Sequence, residues 1–155
     1  MHLPHLRPFE RAPIVFLTIC THGRQRLLAS PPIHVAVHNV WARSAQLNGW
    51  FVGHYMLMPD HVHLLASPEP AARPLAAWMR AWKSISATRI NHALGRNGTF
   101  WQADYFDRYL RSLDDYTQKW DYVALNPVRK GLVAKSEDWP YRGIIYDLRH
   151  HASRG

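Results

Sequence analysis

The stretch WFVGHYMLMPDHVHLLAS, residues 50–67, contains two apolar runs on either side of the short connection Met58-Pro59-Asp60. Runs of this length around a turn signal are typical of a β-hairpin. His61 and His63 begin the second predicted strand, and they share one face of it because strand side chains alternate between faces. The pair is a candidate site, although two solvent-facing residues of a half-buried strand would give the same pattern.

The segments on either side of this hairpin predict two helices and two more strands. Residues 13–21, PIVFLTICT, are rich in β-branched and aromatic residues and predict a first strand. Apolar residues recur at helical spacing in residues 31–48 and 74–94, and residues 100–110, FWQADYFDRYL, predict a fourth strand. The order βαββαβ is typical of the ferredoxin-like α+β fold, whose antiparallel sheet carries both helices on one face. The other face is then open to a further element.

A third helix is predicted where residues 112–115, SLDD, resemble a capping box. We expect this helix to run to Asn126, because Pro127 disfavours helical geometry in the residue before it. Alternatively, Asn126 and Pro127 begin a further short helix that Gly131 closes. The predicted core stripe of the third helix consists of Leu113, Tyr116, Trp120, Val123 and Ala124.

Tyr122 falls outside that core stripe, beside polar residues, as an incidental surface aromatic would. Tyr122 and Asn126 are four residues apart, and side chains at this spacing project together from one helix. If this helix covers the open sheet face, the phenol and the amide oxygen meet His61 and His63. Two imidazoles and one oxygen ligand can hold a divalent cation that still has positions for phosphate oxygens. The cation would act as a Lewis acid, and Tyr122 would attack the phosphate.

The composition favours a nucleic-acid partner. The chain has 155 residues, of which 47% are hydrophobic and 19% charged, as in an ordinary globular protein. We expect a single domain over residues 1–155, with an N-terminal arm at 1–12 and a C-terminal tail at 135–155. The net charge of +8 and the isoelectric point near 10.1 favour a polyanionic partner, although a generically basic protein would share them.

Cysteine content and hydropathy argue against several other classes of protein. Cys20 is the only cysteine, which excludes an intramolecular disulfide and a cysteine-based zinc cluster and is typical of a reducing cytoplasm. No apolar run approaches the length of a membrane span, and the first residues, MHLPHLRPFERAP, lack the apolar core of a signal peptide. We therefore expect a cytoplasmic protein with no membrane partner.

Two segments of the chain resemble a known family. MPDHVHLL resembles the HUH motif, two histidines around a bulky hydrophobic residue, of single-tyrosine transposases that act on single-stranded DNA. DYVALNPVRKGLV, residues 121–133, is similar to the companion segment of the REP-associated tyrosine transposases, a branch of that group. The resemblance extends in matching order over about residues 13–141 and includes WMRAWKS and TFWQADYFDR.

The resemblance implies a Mg²⁺- or Mn²⁺-dependent enzyme that nicks and transfers single strands at DNA hairpins such as REP palindromes, through a 5′-phosphotyrosine intermediate. Tyr122 matches the nucleophile of the family, His61 and His63 match its metal ligands, and Asn126 matches the third ligand. Asp60 stands where many members have asparagine. The resemblance also implies a bacterial, nucleoid-associated protein that is a monomer or a homodimer.

The candidate DNA-binding residues are basic or aromatic; they are Arg24, Arg26, Arg80, Lys83, Trp101 and Arg108. Two other functions remain open. The first is a non-catalytic hairpin DNA- or RNA-binding protein of ferredoxin-like fold, in which Trp101, Tyr105 and Tyr55 would stack on bases. The second is a metal-dependent phosphodiesterase that uses water and forms no covalent intermediate.

Two further histidine pairs are weaker candidates for metal sites. His34 and His38 have the spacing of a zinc-protease helix, but Val35 occupies the place of the glutamate that such a protease requires. His150 and His151 are adjacent near the C-terminus, where solvated side chains are the norm.

Overall fold

The computed structural model describes residues 12–149, which form a five-stranded antiparallel sheet with helices on both faces. The strands are β1 (Val15–Cys20), β2 (Trp50–Leu57), β3 (His61–Pro68), β4 (Phe106–Tyr109) and β5 (Arg142–Ile144). The helices are α1 (Pro31–Ala42), α2 (Ser44–Asn48), α3 (Leu75–Leu94), α4 (Leu113–Ala124) and α5 (Asn126–Arg129). The strand order is β4-β1-β3-β2-β5, so the first four strands have the predicted ferredoxin-like arrangement.

The β2–β3 hairpin lies where the sequence predicts it. Strand β2 has the predicted bounds, and the connection closes with a hydrogen bond from the Met58 amide to the His61 carbonyl of 2.8 Å. Strand β3 is central, paired with β2 on one side and with β1 on the other. In the β1 pairing His63 lies opposite Thr18, and His61 lies opposite Cys20. The histidine pair is therefore carried by a strand that is hydrogen-bonded along both edges.

Helices α1 and α3 cover one face of the sheet through a tryptophan-rich core. Trp41, Trp78 and Trp82 are fully buried there against the apolar side chains of β1, β2 and β3. The rings of Trp50 and Trp78 stack with their centroids 4.9 Å apart. Burying an aromatic side chain of this size stabilises a fold by about 3–5 kcal/mol relative to alanine. This layer therefore contributes much of the stability that holds the sheet.

The prediction of one helix over residues 31–48 is wrong, because the helix breaks at Arg43 and resumes as α2. Leu47 continues the helical spacing of the apolar residues in 31–48, but it is 55% exposed. The predicted end at Asn48-Gly49 is confirmed. Gly49 adopts φ +77°, a conformation that glycine tolerates, and its amide donates to the Ala45 carbonyl at 3.1 Å.

The fourth strand is shorter than predicted, since β4 contains only residues 106–109 of the expected 100–110. Trp101 instead forms a single bridge to Thr21. Between the bridge and the strand, Lys83 Nζ donates to the Gln102 carbonyl at 2.5 Å and to the Ala103 carbonyl at 3.1 Å. The ammonium group satisfies backbone oxygens that a longer ladder would otherwise have paired.

Helix α4 covers the second face of the sheet. Tyr116 and Trp120 are buried there with Phe16 and Leu65, which confirms Tyr116 as a core residue, whereas Leu113 of the predicted stripe is 49% exposed. The Ser112 side chain accepts a hydrogen bond from the Asp115 amide at 3.1 Å, which confirms the predicted N-cap.

The predicted end of this helix at Asn126 is wrong. Helix α4 ends at Ala124, and Asn126 begins α5, as in the alternative interpretation of the sequence. Proline is well tolerated in the first turn of a helix, so Pro127 marks a new start here.

The segment after residue 135 contains a fifth strand that sequence patterning missed. Strand β5 is three residues long and pairs with the outer edge of β2. A Cβ at Gly143 would come within 2.5 Å of Tyr55 Oη, so the close approach of β5 requires glycine there. Trp139 is buried and donates from Nε1 to the Leu57 carbonyl at 2.9 Å.

The structure describes only part of the two predicted terminal segments. Residues 1–11 of the N-terminal arm and residues 150–155 of the tail, including His150 and His151, lie outside the described residues. Within residues 12–149, no helix combines the length and the apolar character needed to cross a membrane.

Candidate active site

The histidine pair lies on the sheet face that α4 covers. His61 and His63 project from β3 to the same side, with ring centroids 4.8 Å apart and planes at 78°. The His63 ring stacks on Phe16 of β1 at 5.4 Å. The arrangement follows directly from strand alternation, as the sequence predicts.

Each imidazole uses its Nδ1 atom in a hydrogen bond within the protein. His61 Nδ1 lies 2.7 Å from Asp60 Oδ1, and Asp60 Oδ2 accepts from Arg24 Nε at 3.0 Å. A carboxylate accepts only, so the proton of neutral His61 is on Nδ1. His63 Nδ1 lies 2.8 Å from the Thr18 hydroxyl. Among residues 12–149, no hydrogen bond occupies either Nε2 atom, so both are available to a ligand.

Burial holds both imidazoles in the neutral form at pH 7. It lowers the pKa of His61, although the hydrogen bond from His61 to Asp60 opposes this effect. Burial also lowers the pKa of His63 to about 3, with smaller contributions from the charges of His61, Lys119 and Arg129. A neutral imidazole is the form that binds a metal ion.

Replacing His63 with glutamine is expected to reduce the loss of stability at acid pH. An unfolded imidazole titrates near 6.5, whereas that of folded His63 has a pKa of about 3, so the unfolded chain binds more protons between these values. The stabilisation is complete above pH 6.5 and is lost as pH falls, at up to about 1.4 kcal/mol per unit. The pKa values of His34, His54 and His61 are also lowered. The His63→Gln protein should therefore keep part of the dependence of its stability on pH.

Urea unfolding in EDTA, at about pH 7.5 and about pH 5, measures the free energy of unfolding at each pH. A His63→Gln variant whose stability falls as steeply as that of the unsubstituted protein would contradict the prediction.

Helices α4 and α5 bring a second set of polar side chains to the histidine pair. Lys119 Nζ lies 4.9 Å from the centroid of Phe16, the ring that stacks on His63. Tyr122 is 64% exposed, and the Arg129 guanidinium stacks on its ring at 3.7 Å. The charges of both Lys119 and Arg129 act on His63, so the tyrosine segment and the histidine pair belong to one electrostatic environment.

Tyr122 and Asn126 do not share one helix, which corrects the premise that they project together from it. The contact between them is made by Arg129, which donates to the Tyr122 carbonyl at 2.6 Å and lies 3.5 Å from Asn126 Oδ1. Sequence reasoning missed Arg129 as a site residue. The only signal was its place in the basic segment three residues after Asn126.

The predicted DNA-binding cations lie on different sides of the sheet. Arg24 is 55% exposed and paired with Asp60, and Arg26 is exposed in the same loop. Arg108 is 43% exposed and forms an ion pair with Asp115 at 2.7 Å.

Arg80 is exposed on α3, which packs on the face opposite the histidine pair. The Lys83 ammonium is bound by the two carbonyls described above, so it is less available to a phosphate than the sequence suggests.

Trp101 is a correction to the predicted DNA-binding set. It is only 4% exposed, and its Nε1 donates to Ser86 Oγ at 2.9 Å. Tyr55 is only 2% exposed, on the helix-covered face. Neither ring offers a face to a base, because tryptophan and tyrosine at these positions fill the core. Of the three aromatics proposed for base stacking, only Tyr105 is partly exposed.

His34 and His38 have a structural partner. Their Nε2 and Nδ1 atoms lie 2.7 and 3.0 Å, respectively, from the hydroxyl of Tyr55. This buried hydroxyl is therefore satisfied by two imidazoles. The contacts supply a structural explanation for the spacing of the two histidines.

Comparisons with known proteins agree with this architecture. The sequence model of the family described as "Transposase IS200 like" matches residues 14–116. A REP-associated tyrosine transposase of Escherichia coli (strain K12) is 26% identical over 137 residues, which are 86% of this chain and 77% of that protein. The solved structure of a REP-associated tyrosine transposase bound to a REP hairpin superposes with a TM-score of 0.67 at 21% identity, covering 91% of this chain and 82% of that one. Because the family match spans most of the sheet and its helices, the chain belongs to the IS200-like transposase family.

Proposed function

We propose that this protein is a metal-dependent single-strand DNA endonuclease and strand transferase that acts at DNA hairpins such as REP palindromes through a 5′-phosphotyrosine intermediate. Family membership supports the class of reaction. The names of the relatives, one of them bound to a REP hairpin, support the class of substrate.

One observation carries the proposal. Two neutral imidazoles have available Nε2 atoms. Arg129, whose charge acts on one of them, His63, also stacks on the exposed ring of Tyr122. Burial and the nearby cations keep both imidazoles neutral, which is the form that binds a metal ion. An exposed phenol stacked on a guanidinium contributes little to a core.

The donor set fits a divalent cation bound by His61, His63 and Asn126. Asp60 orients the His61 ring from Nδ1, as the outer partners of metal-ligating histidines do. Among residues 12–149, no group of three or more His, Cys, Asp or Glu side chains is placed to hold a metal. The proposed third ligand is the amide oxygen of Asn126, at the position that matches the third ligand of the family. When bound, Mg²⁺ or Mn²⁺ would supply Lewis-acid polarisation of a phosphate oxygen, and the imidazoles favour Mn²⁺ slightly.

Tyr122 would supply the nucleophile for the proposed group transfer. The Tyr122 phenol would lose its proton to a base and attack the phosphorus, forming a bond from its oxygen to the 5′ phosphate. The bond from phosphorus to the 3′ oxygen breaks, and that oxygen takes up a proton to become a free 3′ hydroxyl. Attack by a 3′ hydroxyl reverses these changes and rejoins a strand. The exposure of Tyr122 allows a DNA strand to reach its hydroxyl.

Incubation with a REP-like hairpin labelled at its 3′ end and Mg²⁺ or Mn²⁺, followed by denaturing electrophoresis, tests the proposal, because the phosphotyrosine keeps the fragment on the 3′ side of the cut. A protein band that carries the label supports the phosphotyrosine reaction. Cleavage without a labelled protein would favour the phosphodiesterase that uses water. Binding without cleavage would favour a non-catalytic hairpin-binding protein.

Removing the Arg80 side chain is expected to reduce the salt dependence of DNA binding. An exposed arginine that contacts one phosphate contributes about 0.7–0.9 to the slope of log affinity against log salt. The Lys83→Ala protein is expected to be less stable and to keep most of the salt dependence of binding. The reason is that the ammonium group of Lys83 is already bound by two carbonyls.

A salt titration of hairpin binding by fluorescence anisotropy measures both slopes. An Arg80→Ala slope equal to that of the unsubstituted protein would remove this face of α3 from the DNA-binding surface.

A further inference from the structure

Lys119 is a partly buried lysine on the sheet face that carries the histidine pair. It lies on α4, three residues before Tyr122, and side chains at this spacing project to the same side of a helix. Its ammonium lies 4.9 Å from the centroid of the Phe16 ring, and that ring stacks on His63 at 5.4 Å. Lysine side chains usually extend their charge into water. The charge of Lys119 is held instead above the Phe16 ring, beside the histidine pair.

The part of the chain that the structure describes supplies no partner anion for this charge. Among residues 12–149, the Lys119 ammonium forms no ion pair and no hydrogen bond. Asp115, one turn earlier on α4, is paired with Arg108 at 2.7 Å. Asp107 of β4 lies opposite Leu17 and therefore faces the layer of α1 and α3. A partly buried charge without a counter-ion is unfavourable unless an anion from outside compensates it.

The proposed metal site adds positive charge to the same surroundings. Its three proposed ligands are neutral donors; they are His61, His63 and Asn126. A divalent cation bound by neutral ligands keeps its full charge, so Lys119 repels it. Burial and the neighbouring His61 lower the pKa of His63 most, and the charge of Lys119 follows, ahead of that of Arg129. Without a compensating anion, Lys119 therefore weakens the proposed metal site.

A phosphodiester supplies the missing negative charge. It is an anion before the reaction, and more negative charge reaches its non-bridging oxygens as the oxygen of an attacking phenolate bonds to phosphorus. A fixed cation aimed at charge that develops in the transition state lowers the barrier. Lysine is a common phosphate ligand because its ammonium acts as a point charge with several donors. The position of Lys119 therefore suits the phosphate that undergoes the reaction.

We propose that Lys119 is a catalytic residue whose ammonium binds a non-bridging oxygen of the phosphate that Tyr122 attacks, and that it opposes metal binding until this phosphate is in place. The inference rests on the proposed function and adds a residue to that site. Lys119 forms no covalent bond and keeps its protons while the bond from the Tyr122 oxygen to phosphorus forms and the bond to the 3′ oxygen breaks. The metal ion and the DNA then strengthen the binding of each other.

A metal titration without DNA tests the first half of the proposal. The Lys119→Gln protein is expected to bind Mn²⁺ about threefold more tightly than the unsubstituted protein, because one repelling charge is gone. Electron paramagnetic resonance of the free Mn²⁺ ion measures the affinity. Arg89→Gln removes the same charge from an exposed position on α3, in the opposite helical layer, and should leave the affinity unchanged. A Lys119→Gln protein with unchanged or weaker Mn²⁺ binding would contradict this half.

The same substitution is expected to slow strand cleavage. Single-turnover cleavage at saturating hairpin and Mn²⁺ should fall by about a hundredfold in the Lys119→Gln protein, the order expected for one lost charge-stabilising contact. Lys119→Arg keeps the charge and should regain most of the rate. A lysine that only packs on Phe16 would produce neither this loss nor tighter metal binding, and a Lys119→Gln protein that cleaves at the unsubstituted rate would overturn the catalytic role.

The phosphate contact itself is tested by binding alone. A methylphosphonate replaces each phosphate in turn along the single-stranded flank of a labelled hairpin, and the Tyr122→Phe protein is titrated in EDTA by fluorescence anisotropy. At one linkage, the neutral group should weaken binding by about fivefold, as expected for one charge pair. With Lys119→Gln added, that cost should largely disappear, as in a double-mutant cycle. Equal costs in the two proteins at every linkage would overturn the contact.

The outcomes also separate this proposal from the proposed function. A labelled adduct in the unsubstituted protein, together with equal methylphosphonate costs and equal Mn²⁺ affinities with and without the Lys119 side chain, would overturn the role of Lys119 alone. Coupling at one linkage without any adduct would overturn the phosphotyrosine reaction and leave the phosphate contact of Lys119. A protein that binds no hairpin would overturn both.

Discussion

The Tyr122→Phe protein is expected to form no covalent adduct with a hairpin substrate, a loss of at least about a thousandfold in strand cleavage. The change deletes only the hydroxyl oxygen that would attack the phosphate. Because the ring is 64% exposed and keeps its stacking partner Arg129, the free energy of unfolding should hardly change. Denaturing electrophoresis with a labelled hairpin, and a urea unfolding curve of the same sample, measure the two effects.

Tyr116→Phe is the matched control, because Tyr116 lies on the same helix but in the core at 3% exposure. This variant should retain the adduct and lose some stability. Peptide mapping of the adduct decides the assignment. An adduct at Tyr105, Tyr109 or Tyr116 would show that the nucleophile is not Tyr122.

His61→Ala and His63→Ala are each expected to reduce cleavage by at least about a hundredfold while most of the hairpin affinity remains. Loss of one imidazole removes a proposed metal ligand, whereas affinity for a polyanion comes from many spread cations. Asn126→Ala should cost less, because a neutral amide is the weaker ligand. Single-turnover cleavage at several Mn²⁺ concentrations, beside hairpin binding in EDTA, separates the two effects.

His54→Ala is the control for removing a half-buried histidine from the same sheet. His54 lies on β2, and its ring stacks on Trp120 with the centroids 5.2 Å apart. The His54→Ala protein should be less stable and should cleave the hairpin as the unsubstituted protein does. Cleavage that persists in either His61→Ala or His63→Ala under strict chelation would refute the metal site.

Local sequence patterns were sufficient where one physical rule decides the structure. The β2–β3 hairpin follows from two apolar runs around a short turn, and strand alternation then puts His61 and His63 on one face. The cap at Ser112 and the stop at Gly49 follow from the chemistry of one or two residues. The position of Tyr116 in the core and Tyr122 outside it follows from helical periodicity.

Features that depend on distant contacts were missed or misplaced. The sequence around Trp101 does not distinguish a buried tryptophan from an exposed one. The packing of α3 against the sheet buries it. Strand β5 is three residues long, and its pairing depends on the free edge of β2 and on the room that Gly143 leaves beside Tyr55. No local pattern of three residues could specify that pairing.

The sequence by itself determined the order of the first four strands and the two helices between them, the shared face of the two histidines and the exposure of Tyr122, because each depends on neighbours within a few positions. The tertiary structure decided which sheet face α4 covers, and so which residues meet the histidine pair. It brought Arg129 onto Tyr122 and placed Lys130 and Leu132 beside His61. These contacts join segments far apart in the chain, and their geometry is set by how the helices pack on the sheet.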